Sequence, residues 1–256
     1  MRLSQGHLTL LDECPRRFQH TILDGLTVPA SPELLARQQW GDRFHLFMQQ
    51  REMGLPVADL VANDRELQES WDALRAIAPE LFVCDEIFRQ SEHERSRVVN
   101  GYWFTVVYDL LRLWGDRGEI VDWKTYLRPK PAAALQRDWQ TRLYLYMLVE
   151  TTDLTPEQVT MTYWFVRTRD RQTQHIAPQC VHIAYTADRH AQTHHDVLRL
   201  TTQLSEWQAQ GNPLPQVPMG SDRCHHCPFA IRCQRGSAPE PTLMLPALDD
   251  IAEIPL

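Results

Sequence analysis

Residues 101–124 read GYWFTVVYDLLRLWGDRGEIVDWK, and this stretch limits the fold more than any other. Its two arms are dense in aromatic and β-branched side chains, which fit a pleated surface, and Gly-Asp-Arg-Gly at 115–118 supplies turn residues between them. Two such runs with so short a connection pair antiparallel. Closing the hairpin on Trp114 and Glu119 sets Lys124 opposite Asp109. Directly opposed residues share a face, as do alternate residues along a strand, so Asp109, Asp122 and Lys124 converge.

The flanking sequence continues the pattern. LFVCDEIFR, residues 81–89, predicts a strand before the hairpin, and VTMTYWFVRT, from Val159, one after it. Short helices open the chain, with Cys14-Pro15 at a break where proline starts a new turn. Ser31-Pro32-Glu33 predicts a capped helix running to about Glu52, and further helices are expected over 64–77, 131–150 and 188–210. Strands alternating with helices in this way predict an α/β fold, a central mixed β-sheet flanked by helices. Residues 1–235 read as one domain. The proline-rich, acidic segment 236–256 reads as a mobile tail whose apolar residues offer a docking segment to a protein partner.

Composition narrows the function classes. No run of about 18 apolar residues is present, and the first residues lack a signal-peptide pattern, which predicts a cytoplasmic protein with no membrane span. A net charge of −7 argues against a protein that coats duplex DNA nonspecifically. Arginines nevertheless cluster locally, with Arg16, Arg17, Arg128 and Arg142 available to phosphates and Trp103 or Trp123 to bases. Of 26 basic residues, lysine occurs only at Lys124 and Lys130, so a lysine beside Asp122 stands out. Its ammonium is a compact charge whose pKa moves readily, unlike the flat guanidinium fork.

Two carboxylates on one face repel unless a cation lies between them, and hard oxygen ligands suit Mg²⁺ or Mn²⁺. Such an ion acidifies water and polarises phosphate, which a neighbouring ammonium assists. An ordinary cross-strand Asp–Lys pair is the competing reading. The cysteines carry a second signal. Cys224-x2-Cys227-x5-Cys233 places three thiols close together, with Cys14 a candidate fourth, and this spacing suits either Zn²⁺ or an iron–sulphur cluster. Cys84 and Cys180 stand alone and read as buried hydrophobes.

Taken together, these residues resemble the PD-(D/E)XK nuclease superfamily, in its RecB/AddB-like branch with an iron–sulphur cluster, which includes CRISPR-associated exonucleases. The likeness rests on Cys14-Pro-Arg-Arg-Phe18, Gly41-x3-His45, Glu86, Gly101…Asp109, Asp122-Trp123-Lys124-Thr125 and Gln140-x3-Tyr144. It implies a restriction-endonuclease-like core. It also implies that His45, Asp109, Asp122 and the carbonyl of Trp123 bind Mg²⁺ or Mn²⁺. In the same scheme Lys124 assists the attacking water, Gln140 and Tyr144 position the strand, and Glu86 is the acidic strand residue. Cys14, Cys224, Cys227 and Cys233 would hold a 4Fe–4S cluster that joins the two ends of the domain across roughly 210 residues.

The function so implied is a Mg/Mn-dependent DNA exonuclease acting on ends or single strands, in repair, recombination or CRISPR-related processing. The alternative is a catalytically silent DNA-binding or scaffold subunit with a structural metal cluster. A redox protein is a third reading.

Overall fold

The computed structural model describes residues 1–29, 32–62 and 64–235. The expected Ser31 cap and the tail lie outside these. The elements in chain order are β1 (Arg2–Leu3), α1 (Gln5–Glu13), α2 (Pro15–Phe18), α3 (Pro32–Glu52), α4 (Ala58–Val61) and α5 (Arg65–Ile77). They are followed by β2 (Phe88–Val99), β3 (Tyr102–Leu113), β4 (Gly118–Lys124), α6 (Ala132–Leu135), α7 (Trp139–Glu150), β5 (Val159–Phe165), β6 (Gln179–Ala184) and α8 (Ala187–Gln210).

Several ends follow from local chemistry. Asp64 caps α5 by accepting the Leu67 amide at 3.0 Å. Thr186 caps α8, which stops at Gly211 in the left-handed region. Pro15 occupies the first turn of α2.

All six strands form one mixed sheet. β3 is its spine: β2 pairs antiparallel along one whole edge, while β1, parallel, and β4, antiparallel, share the other edge at opposite ends. β4 and β5 are parallel, joined through α6 and α7, and β6 closes the sheet antiparallel to β5. Each face has its own core. Leu8, Leu11, Phe104, Tyr108, Leu143 and Leu200 bring α1, α7 and α8 onto one side. On the other, Phe44, Phe47, Leu67 and Leu74 hold α3 and α5 against Leu110, Val121, Trp123 and Trp164. Fully buried, Phe44 and Phe47 each contribute about 2 kcal/mol by leaving water, which fixes the helix turn that carries His45.

Four expectations are corrected. The hairpin turn is tighter than anticipated: the Trp114 amide bonds the Arg117 carbonyl at 2.8 Å, and Arg112 rather than Trp114 opposes Glu119. The shift is two residues, so the side chains keep their face. LFVCDEIFR is not a strand; it starts in a 3-10 turn, Pro79–Phe82, and strand β2 begins at Phe88, at its end. The expected helix over 131–150 is two, α6 and α7, broken over residues 136–138. Cys84 and Cys180 are exposed, not buried.

Candidate active site

The site forms where β3 loses both its neighbours. On one side the β2 ladder runs in constant register but omits the Glu92 and Asp109 pair. Glu92 there has φ 49, a left-handed conformation that costs a non-glycine residue about 1–2 kcal/mol. On the other side the β4 ladder stops at Leu110 and Val121. Beyond that pair the Asp109 carboxylate, rather than a main-chain carbonyl, accepts the Trp123 amide at 2.7 Å. Tyr108 and Leu111 reach the same core, so strict alternation also fails at this level. A strand interrupted on both edges presents side chains inward where a regular sheet would have filled the space with its own ladder.

His45 arrives from α3, with Nδ1 3.4 Å from Asp109 Oδ2. Gly41, one turn earlier, makes this approach possible: a Cβ there would lie 3.2 Å from Thr125 Oγ1, just past β4. His45, Glu92 and Asp109 each offer a ligand atom within 4.8 Å of the other two. Glu92 was not among the residues singled out from the sequence. Glu86, which was, does not join them: Arg112 and Arg89 enclose its carboxylate, with Arg89 at 3.0 Å, and against the cost of burial hold it below the usual carboxylate range.

Behind the cluster lies a ring made of one ion pair and two hydrogen bonds. Lys124 Nζ contacts Asp122 Oδ1 at 2.6 Å and donates to Gln140 Oε1 at 2.8 Å, while Gln140 Nε2 donates to Asp122 Oδ2 at 2.6 Å. Gln140 and Tyr144 sit one turn apart on α7, and Lys124 also lies over the Tyr163 ring. Trp123, by contrast, is buried among the aromatic side chains of α3, and its ring offers no stacking face.

Charge is unbalanced here. Burial, then the proximity of Asp109, pushes Asp122 well above the usual carboxylate range, opposed by Lys124. Burial and Asp109 raise Glu92 as well. Burial would lower His45, but Asp109, Asp122 and Glu92 outweigh it and lift its pKa to about 9. Burial works against the Lys124 ammonium too, yet Asp122 and Asp109 hold its proton on. Three carboxylates therefore face one lysine and one protonated histidine, the setting in which a divalent cation replaces the histidine proton and relieves repulsion.

The second predicted site lies elsewhere. Cys14, Cys224, Cys227 and Cys233 line one cavity between the first helices and residues 216–235. None of the four is in a disulfide, and all are half-buried. Burial raises the Cys233 thiol, Arg16 opposes this, and the other three thiols add to the rise. Among the described residues no three thiols come within the 4.8 Å span that His45, Glu92 and Asp109 meet. Main-chain anchors hold the two segments together: Arg16 Nε donates to the Leu214 carbonyl at 2.6 Å, and Arg223 Nη1 to that of Asp12 at 3.3 Å.

A mixed sheet between helical layers, with an acidic cluster where the central strands part, defines an α/β fold of the restriction-endonuclease type. The family profile of the PD-(D/E)XK nuclease superfamily matches residues 2–234, and the chain belongs to that superfamily. It is similar over 93% of its length, and 90% of the other chain, to a solved protein of Eubacterium rectale provisionally described as an exonuclease, at 10% identity and a TM-score of 0.56. At that identity the likeness concerns the fold. The solved protein SSO0001 is 14% identical over 92% of this chain and 87% of its own, with a TM-score of 0.41, and carries no argument. No curated protein matches the sequence. Among the described residues, no helix is long and apolar enough to cross a membrane.

Proposed function

We propose that this nuclease is a Mg²⁺- or Mn²⁺-dependent deoxyribonuclease of the RecB/AddB-like branch. It acts in the cytoplasm as an exonuclease on DNA ends or single strands, in repair, recombination or CRISPR-related processing. The observation that carries the reading is the juxtaposition of an acid-rich cluster, His45, Glu92 and Asp109, with the Asp122–Lys124–Gln140 ring.

His45, Glu92, Asp109 and Asp122 form a nitrogen and oxygen donor set suited to a hard divalent ion, which supplies Lewis acidity toward phosphate and water. Trp123 contributes through its main chain, its amide fixing one oxygen of Asp109. Lys124 keeps its proton, so it acts as a hydrogen-bond donor to the attacking water and to the charge growing on phosphate, not as a base. Gln140 locks that ammonium against Asp122. Tyr144 stands one turn further along α7, its hydroxyl accepting from Gln5, and would help position the strand.

The four cysteines lining one cavity would hold a structural 4Fe–4S cluster, one thiolate to each iron corner, as the likeness to the iron–sulphur branch implies, with Zn²⁺ as the alternative. The test of both parts is one anaerobic preparation. Iron, acid-labile sulphide and zinc are assayed, and end-labelled DNA is incubated with Mn²⁺ or Mg²⁺ beside Lys124→Ala. Digestion by wild type only, with iron and sulphide present, is expected. Intact protein that cuts nothing overturns the nuclease assignment, and stoichiometric zinc overturns the cluster.

A further inference from the structure

Cys180, the exposed thiol on strand β6, is not alone. His182, two residues along and on the same face, sets Nε2 3.5 Å from its sulphur. From that ring a chain of contacts crosses the neighbouring strands. His182 Nδ1 lies 3.0 Å from Thr162 Oγ1 on β5, and Thr162 Oγ1 donates to Glu119 Oε1 on β4 at 2.6 Å. The other oxygen of Glu119 accepts from Arg112 Nη1 on β3 at 3.1 Å.

The hydrogens in this chain run one way. A carboxylate only accepts, so the single Thr162 hydroxyl hydrogen is committed to Glu119, and the threonine oxygen accepts from His182. The neutral ring therefore carries its proton on Nδ1 and turns the bare lone pair of Nε2 toward Cys180. A thiol, a base and a group that orients the base make up an activated nucleophile. Burial of part of its side chain raises the Cys180 thiol, its own main chain opposes this, and Glu80 adds to the rise. At rest the sulphur thus keeps its proton, with an acceptor beside it. Cys84, also exposed, is paired with no histidine among the described residues.

The pair opens on a cavity of about 600 Å³ where α5 ends, lined by Ile77, Leu81, Arg112, Trp164, Cys180 and His182 among others. Trp164, 5% exposed, brings to this lining an indole N–H with no acceptor among the described residues. We infer that Cys180 is a modification site for a low-molecular-weight disulfide of peptide character, with His182 as the base and Thr162 as a positioning residue. A space of this size exceeds what a peroxide needs, and its apolar wall with an unpaired donor suits a small peptide-like ligand. In the exchange His182 Nε2 takes the Cys180 proton and the sulphur attacks one sulphur of the ligand. The ligand's S–S bond breaks as the new one forms, and the departing thiolate leaves with the proton from His182. Cys180 is oxidised to the mixed disulfide, and one half of the ligand is reduced to a thiol.

The test treats anaerobically purified full-length protein with oxidised glutathione and follows the adduct at each cysteine by peptide mass spectrometry. Wild type is compared with His182→Gln, Thr162→Val and Thr162→Ser, each checked for folding by thermal melt. In wild type Cys180 should react about tenfold faster than Cys84, a modest share of what a positioned base contributes. His182→Gln should abolish that advantage; Thr162→Val should lose most of it, and Thr162→Ser, which keeps the hydroxyl, should retain it. Because His182 is exposed, its replacement decides the matter even if a Thr162 variant fails to fold. Cys180 reacting no faster than Cys84, or at the wild-type rate in His182→Gln, overturns the inference. Equal slowing by both Thr162 variants overturns the positioning role, and oxidation of Cys180 by hydrogen peroxide but not by oxidised glutathione overturns the disulfide as its ligand.

Discussion

Two acidic clusters lie along the β2–β3–β4 ribbon, and they are solved in opposite ways. Around Glu86, arginine forks match the acids: Arg89 binds Glu52 at 2.6 Å as well as Glu86, and Arg112 bridges Glu86 to Glu119 at 3.1 Å. Around Asp109 no arginine enters among the described residues. The partners there are a histidine, a lysine and main-chain or amide groups. A guanidinium saturates a carboxylate through paired donors and keeps other cations out, whereas an imidazole yields its place once it loses a proton. Acids packed with arginine thus serve structure, and acids left short of it remain open to chemistry.

The sharpest way to break this contrast is to remove the one lysine in the open cluster. Lys124→Ala should lower the initial rate of single-strand cleavage about a thousandfold while Mn²⁺ still binds; a rate near wild type would reduce Lys124 to an ordinary salt-bridge partner. The next test sets one glutamate against the other. Glu92→Gln should weaken Mn²⁺ binding about ten- to a hundredfold in calorimetric titration. Glu86→Gln should leave that affinity alone and instead destabilise the fold by about 3 kcal/mol in urea melts, because buried arginines lose their partner.

A pH series separates the clusters more finely. His45 must shed its proton to accept an ion, so Mn²⁺ affinity should climb about tenfold per pH unit from neutrality and level off near pH 9. In the metal-free protein the sign reverses. With its pKa raised from 6.5 to about 9, His45 contributes stability that is complete below pH 6.5 and disappears as pH rises through about 9, visible as a falling midpoint in chelator-treated samples. The smallest effect belongs to Gly41→Ala. A Cβ 3.2 Å from Thr125 Oγ1 displaces α3 by a few tenths of an ångström, and cleavage should slow by about threefold; no change would mean that His45 tolerates the shift.

The contrast also explains what could be read without a structure. Asp122 and Lys124 sit two apart in an apolar run, and Gln140 and Tyr144 four apart in a helix, so local period alone places each pair on one face. The two-residue shift of the turn preserves strand parity, but alternation fails between Tyr108 and Leu111, so Asp109 is placed by its bond to the Trp123 amide and not by the pairing read from the sequence. Glu92 was illegible for a physical reason. It lies in QSEHERSRVV, a strand whose side chains are polar and partly solvated on both faces, and its exceptional φ leaves no mark in the sequence. Glu86 was attractive because LFVCDEIFR read as a strand and the resemblance implied an acidic strand residue there. That run is the 3-10 turn and loop packed under α5, and only tertiary contacts reveal the arginines waiting there. The arrangement of the cysteines around one cavity required the fold as well, although three of them were conspicuous by spacing.

The pairing of the first helices with residues 214–235 has a consequence for how the molecule is made. The Arg16 amide and guanidinium, the Gln19 side chain and the Cys14 thiol meet their long-range partners at Leu214, Pro215 and beyond. On a ribosome adding about 5–20 residues per second, the start of the chain therefore waits some tens of seconds for the end to emerge. During that interval the Cys14 thiol is unsheltered and the edge of β3 next to Trp103 has, at best, a two-residue partner. Assembly of the cysteine cavity is then a late event, and a nascent chain stalled before residue 224 would hold a formed β-hairpin but no closed cysteine pocket.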